Sequence, residues 1–213
     1  MGILLLLRHG ESGANQQGIF TGQLDYDLTA LGYAQARCAA RFILANYQVD
    51  ALYASSLQRA VHTAQPLSSA LKLPITLTPA FREINAGSWQ GRRFTELAAR
   101  DAAAYDVWRH DIGRCVCPQG ESVAQVAACV LSAFQSLAEK HAAETIVIAT
   151  HATPIRALIC VLSGHALSDM QRVPWTRNAS LTEIHYTDGT FTLGRISVDD
   201  YLAGMETALP QEA

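Results

Sequence analysis

Charge is scarce in this chain: only 16% of its 213 residues are Asp, Glu, Lys or Arg, and nineteen acidic against sixteen basic residues leave a net charge of −3. Soluble domains typically carry about 25% charged residues, so the shortfall points to extensive burial and excludes disorder. No basic surplus marks a nucleic-acid partner, and no basic amphipathic stretch marks a membrane surface. Long apolar runs are missing too. The opening Ile3-Leu4-Leu5-Leu6-Leu7 stops at Arg8-His9-Gly10-Glu11, well short of a signal-peptide core or a membrane span. Leu6 stands where myristoylation needs Ser or Thr. Cysteines are few, odd in number and scattered (Cys38, Cys115, Cys117, Cys129, Cys160), without a metal-binding CxxC. They read as free thiols in a reducing, cytoplasmic compartment. Asn178-Ala179-Ser180 fits a glycosylation acceptor, but with no secretory signal it is expected to go unused. Metal hydrolysis lacks its usual residues, because there is no HExxH and no close carboxylate pair except Asp199-Asp200. The metal-site expectation is therefore none. What the chain does have is 49% hydrophobic residues and a length that fits one domain over residues 1–213.

Strand and helix signals alternate along it. Ile3 to Leu7 has the continuous aliphatic look of a strand buried on both faces of a parallel sheet, and Thr145 to Ala149 repeats it. Thr29 is placed to cap a helix to about Tyr47, with Leu31, Ala34, Cys38, Phe42 and Ala45 at helical spacing. Short strands are expected at Ala51–Ala54 and Ile75–Leu77. Between them Ser55 or Ser56 starts a helix that should bend or stop near Pro66. Arg92 to Tyr105 and Ser122 to Ala142 read as helices, and Thr153-Pro154 opens another, with Thr153 as its cap, running to about Leu162. Leu181–Tyr186 and Thr190–Ile196, joined by Thr187-Asp188-Gly189, read as a hairpin. The fold class is α/β: a single three-layer domain, its sheet mostly parallel with helices on both faces.

Two histidines occupy matched places. His9 follows the first strand and His151 follows the Thr145–Ala149 strand. Ligands of open parallel sheets bind beyond those carboxyl ends, so if the strands are neighbours both imidazoles enter one crevice. Arg8 beside His9 makes little sense in a core and good sense around a dianion. Arg59 opens a helix, where free backbone N–H groups favour anions. Glu83 is a carboxylate in an irregular loop, and such loops often carry function. Taken singly, each of these has a bland reading as a core histidine, a solvated arginine or an Arg82 ion-pair partner.

Together they carry a resemblance. Leu7-Arg8-His9-Gly10-Glu11-Ser12-Gly13-Ala14-Asn15 resembles the Arg-His-Gly signature of the histidine phosphatase superfamily, in its phosphoglycerate-mutase-like branch. Thr21-Gly22-Gln23-Leu24-Asp25 and Leu28-Thr29-Ala30-Leu31-Gly32 resemble the loop and helix start that follow. Ser55 to Ala64 resembles the second-arginine helix, Phe81-Arg82-Glu83 with Gly87-Ser88-Trp89-Gln90-Gly91 the acid loop, Pro118 to Ser122 a later turn, and Ala149-Thr150-His151 the second histidine.

The resemblance implies a phosphoglycerate-mutase-like fold and a catalytic set of His9, Glu83, Arg8, Arg59 and His151. His9 would be the nucleophile, phosphorylated in passing. Arg8, Arg59 and His151 would surround the phosphoryl oxygens, with no metal and no other cofactor. Glu83 would protonate the leaving oxygen and then draw a proton from water. Asn15, the Thr21-Gly22 turn, Ala152 and Ser12 would contact the phosphate or the leaving group. Where the family often has glycine after the second histidine, Ala152-Thr153-Pro154 stands here. The function implied is metal-independent hydrolysis of small phosphorylated metabolites, such as phosphosugars or ribazole phosphate. A primer-dependent mutase is the alternative. Related mutases are longer and grip a carboxylate with basic residues, and Arg92, Arg93, Arg109 and Arg114 lie in the corresponding stretch. A phosphate-binding module without catalysis is the second alternative. No oligomeric state follows from the sequence.

Overall fold

A computed structural model describes residues 1–207, and the last six residues of the expected domain, 208–213, lie outside the described residues. Strand β1 (Gly2–Arg8) pairs in parallel with β4 (Thr145–Thr150), which pairs in parallel with β2 (Ala51–Ala54), and β2 with the edge strand β3 (Ile75–Leu77). On its other side β1 meets β5 (Leu181–Thr187) antiparallel, and β5 turns back into β6 (Thr190–Leu193). The order is β3-β2-β4-β1-β5-β6.

The all-aliphatic β1 is explained by its burial on both sides. Leu5 and Leu7 face Ala39 and Ile43 of α2 (Ala30–Asn46) and Leu67 of α3 (Gln58–Leu71). Leu4 and Leu6 lie in the opposite cluster, with Val130 and Phe134 of α6 (Val123–Lys140) and Ile155 of α7 (Ala152–Leu162). A sheet between two helical layers is the three-layer α/β arrangement the sequence predicts. A short helix, α1 (Gly13–Gln17), follows β1, and α4 (Phe94–Arg100) and α5 (Ala102–His110) build the cover over the site.

Several boundaries differ for identifiable reasons. Neither Ser55 nor Ser56 caps α3; its cap position is Leu57, and the free N–H of Gln58 is taken at 2.7 Å by Asp25 Oδ1 from a distant loop. Pro66 lies inside α3 without ending it, because Ala60, Ala64 and Leu67 bury the same face across the proline. The helix predicted over 92–105 is two, broken at Asp101, whose carboxylate accepts the Trp89 indole N–H at 3.1 Å. The N-cap position of helix α7 is His151, which makes no side-chain capping bond, and not Thr153, so Thr153 and Pro154 lie within its first turn. Strand β6 ends at Leu193 rather than Ile196, after a turn with Asp188 and Gly189 both at positive φ, the hairpin geometry that Asp-Gly favours. Asn178 is buried, with its amide bonded inside the protein, so the glycosylation pattern is coincidental.

The start of α2 packs backbone to backbone on the loop leaving β1. Thr29 accepts from Gly32 N at 3.0 Å and donates to the Glu11 carboxylate at 2.7 Å. A Cβ at Gly32 would lie 2.0 Å from the Glu11 carbonyl oxygen. Gly32→Ala is therefore expected to cost about 2–3 kcal/mol in urea unfolding, through displacement of this loop; a change under about 0.5 kcal/mol, an ordinary surface effect, would refute the close approach.

Candidate active site

The parallel pairing of β1 and β4 sets Arg8 opposite Thr150, so both chains emerge side by side with a histidine next in line. The His9 N–H donates to the Thr150 carbonyl at 2.9 Å, which fixes the exit of β1. The two imidazoles lie with ring centroids 5.1 Å apart and planes inclined by 56°. Both are buried.

His9 Nδ1 is 2.7 Å from the carbonyl of Gly10. A carbonyl only accepts, so Nδ1 carries the proton and Nε2 keeps its lone pair. The loop bearing this carbonyl is held by Asn178, whose Nδ2 donates to the carbonyls of His9 (3.0 Å) and Gly10 (3.2 Å) and to Asn15 Oδ1 (3.3 Å). His151 Nε2 lies 2.8 Å from Ser55 Oγ, which already accepts from Leu57 N at 3.4 Å. One imidazole nitrogen of His151 is thus bonded to Ser55, and the other, Nδ1, is buried with no partner among the described residues. Ser55, which reads from sequence as a helix cap, instead orients the second histidine.

Burial holds both imidazoles well below the ordinary value of 6.5, and the charges of Arg59 and Arg8 push them further down. Both rings are thus neutral at physiological pH. The guanidinium groups are buried as well, which lowers each to about 10 against the pull of Glu83, so they stay charged. Arg8 donates to the Thr176 carbonyl. Arg59 donates Nη1 to Leu24 O at 2.9 Å and Nη2 to Gly22 O at 2.8 Å. The Nε of each is buried without an acceptor among the described residues. Unmet donors are costly in a closed interior, and an oxygen-rich anion is what they match.

Glu83 follows a single turn at Pro79–Phe81 and reaches the start of α7: Oε1 accepts from Ile84 N at 2.8 Å and Oε2 from Thr153 N at 3.4 Å. Its carbonyl accepts from Gln23 Nε2 at 3.1 Å, which ties the acid loop to the Thr21-Gly22 turn.

These residues meet at one cavity of about 150 Å³. Arg8, His9, Arg59 and Glu83 line it, together with Asn15, Thr21, Gly22 and Ala152. His151 adjoins it through His9. Ser12 stands apart from the lining: fully buried, it caps α1, accepting from Asn15 N and donating to Asn15 Oδ1 at 2.9 Å, so its place is behind Asn15. The rest of the lining was not legible in the sequence: Thr153, and the apolar Ile19, Phe20, Phe94, Trp108 and Trp175. Scattered single aromatics give no pattern to distinguish a cavity wall from a core, and Asn178 was legible only as a glycosylation pattern.

The four arginines considered as a carboxylate grip do not reach the cavity. Arg92 Nε donates to Ser88 O at 2.8 Å, Arg93 Nη1 to Gln17 O at 3.2 Å, and Arg109 and Arg114 are exposed on the surface. Among the described residues no group of three His, Cys, Asp or Glu side chains converges as a metal site.

Known proteins resemble this chain in sequence and fold. Residues 4–199 match the histidine phosphatase superfamily, branch 1. A putative phosphoserine phosphatase 2 of Hydrogenobacter thermophilus is 32% identical over 190 residues, spanning 89% of this chain and 92% of that one. An adenosylcobalamin/alpha-ribazole phosphatase of Escherichia coli is 31% identical over 161 residues, 76% of this chain and 79% of the other. The solved structure of Bacillus stearothermophilus YhfR superposes with a TM-score of 0.90 at 27% identity, covering 95% of this chain and all of that one. With two buried histidines, two buried arginines and a loop carboxylate gathered at one sheet end, and that likeness running nearly end to end, the chain belongs to the histidine phosphatase superfamily.

Proposed function

We propose that the protein hydrolyses phosphomonoesters of small metabolites in two steps, through phosphohistidine at position 9 and without a metal. The observation that carries this reading is the His9 imidazole itself: neutral, locked by Gly10 so that Nε2 is the free nitrogen, and flanked by two guanidinium groups in a lined cavity. In the first step Nε2 bonds to phosphorus, the ester P–O bond breaks, and Glu83 gives its proton to the departing oxygen. In the second, water attacks phosphorus, the N–P bond breaks, and Glu83 takes the proton that water loses. The products are an alcohol and inorganic phosphate, and His9 returns to its starting state. Charge spreading onto the phosphoryl oxygens is met by Arg8 and Arg59, donors already in place before reaction, with His151 beside them.

Hydrolysis is favoured over mutase action because none of Arg92, Arg93, Arg109 and Arg114 lines the cavity, which leaves no grip for a substrate carboxylate. The retained His9 and Glu83 favour turnover over mere phosphate binding. The small substrate, the absence of a nucleic-acid partner and a cytoplasmic location belong to the same reading; among the described residues no helix is long and apolar enough to cross a membrane.

Steady release of phosphate from a generic aryl phosphate in excess chelator is the expected result, and activity that disappears with chelator and returns with a divalent ion would overturn metal independence. Glu83→Gln should lower kcat on an alkyl phosphate by about 10²–10⁴. On an aryl phosphate, whose leaving group needs little protonation, the loss should be under about tenfold; equal losses on both would reject the acid role.

The neutral imidazoles set a pH dependence. In the fold His9 and His151 resist protonation below 6.5, whereas in the unfolded chain they take up protons at that ordinary value. The unfolded state therefore binds more protons as pH falls, and these two groups lower stability progressively below about pH 6.5. Imidazole ¹⁵N spectra should show both rings still neutral at about pH 6; titration of either with a midpoint near 6.5 would contradict the burial argument.

A further inference from the structure

The cavity has two chemically distinct parts. Arg8, His9, Arg59 and Glu83 line one and are committed to the phosphoryl group and its proton. The organic half of the ester must then lie against the rest, which is dominated by Ile19, Phe20, Phe94, Trp108 and Trp175. These rings form a continuous wall: Phe20 packs on Phe94 with centroids 5.5 Å apart and on Trp108 at 4.7 Å, and Trp108 meets Trp175 at 6.4 Å.

The far end of this wall is fixed from behind. The Arg156 guanidinium lies 4.4 Å from the Trp175 ring centroid. It is also anchored, with Nε donating to Val173 O at 3.1 Å and Nη2 donating to Val173 O at 2.9 Å and Met170 O at 3.0 Å. Arg156 is buried and does not line the cavity, so it serves the wall and not the substrate. An aromatic surface set in place before binding loses little entropy when a ligand covers it.

What the wall lacks is a counter-charge. Apart from Arg8 and Arg59, no arginine or lysine lines the cavity among the described residues, and both of those already donate to backbone carbonyls. Glu83 is its one carboxylate, engaged as the proton carrier. Asn15, Thr21 and Thr153 supply neutral polarity only. A leaving group bearing an ammonium and a carboxylate would find no counter-charge on this lining, a mismatch that an apolar group avoids.

We propose that the substrate class is a phosphomonoester of a neutral, apolar or ring-bearing alcohol, selected by the Phe20-Phe94-Trp108-Trp175 wall against amino-acid and carboxylate-bearing esters. The proposal rests on the phosphatase reading of the same cavity.

The test compares 3-phenylpropyl phosphate with phosphoserine. Serine's ammonium makes its alkoxide the better leaving group, so chemistry alone would favour phosphoserine. The expected kcat/KM is at least about tenfold higher for phenylpropyl phosphate. Trp175→Ala and Phe94→Ala, both at half-buried positions, should each lose about tenfold more on phenylpropyl phosphate than on ethyl phosphate, the excess appearing in KM. The same ranking is read without turnover from calorimetric binding of 4-phenylbutylphosphonate against 2-amino-4-phosphonobutanoate. Equal or better handling of phosphoserine, or of the amino-acid phosphonate, would overturn the proposal. If neither ester is turned over but the apolar phosphonate binds at least tenfold tighter, the phosphatase reading fails and the selectivity of the wall stands.

Discussion

Two guanidinium groups buried beside two imidazoles are the constraint on which the site depends. Positive charge without solvent is costly, and Arg8 and Arg59 offset that cost only in part through the carbonyls of Thr176, Leu24 and Gly22. Their field and the dryness of the site together keep His9 and His151 unprotonated. On the proposed reading one cause does two jobs: it stores unmet donors for an incoming dianion and leaves His9 Nε2 with its lone pair. Solvation would weaken both effects together, which is why the Phe20-Trp108 side of the cavity matters to chemistry as well as to fit.

The rest of the fold serves to keep these groups in register. Pairing β1 with β4 in parallel sets the two histidines beside each other, and the leucines of β1 make that register costly to slip, because alternate residues bury against opposite helical layers. The groups that orient the rings come from elsewhere. Ser55 leaves β2 to reach His151, and Asn178, just ahead of β5, gathers the carbonyls of His9 and Gly10. The two histidines are therefore held from the strands that flank β4 and β1.

Much of this was legible in the sequence because it is written in local patterns. The aliphatic runs at Ile3 and Thr145, the Thr29 cap and the Asp188-Gly189 turn each act over a few residues, and each appears as expected. Boundaries went astray where the deciding partner is remote. Asp25 caps α3 from another loop, and the Trp89 indole holds the break at Asp101 between α4 and α5. The same distinction divides the site. His9, Arg8, Glu83 and His151 stand in recognisable motifs, whereas Ser55, Asn178 and the aromatic wall acquire their roles only from tertiary contacts. A residue such as Ser12, which belongs to a motif yet caps α1, shows that motif membership and contact with the cavity are separate properties.

The central claim is that the His9 nitrogen is covalently joined to phosphorus in every cycle. Rapid-quench trapping with a ³²P-labelled monoester tests it most directly, with the labelled peptide identified by mass spectrometry. The account predicts an acid-labile, base-stable adduct on His9 that forms and decays at rates matching turnover, and no label in His9→Ala. Continued product release with no such adduct, or label carried by another residue at those rates, would contradict it.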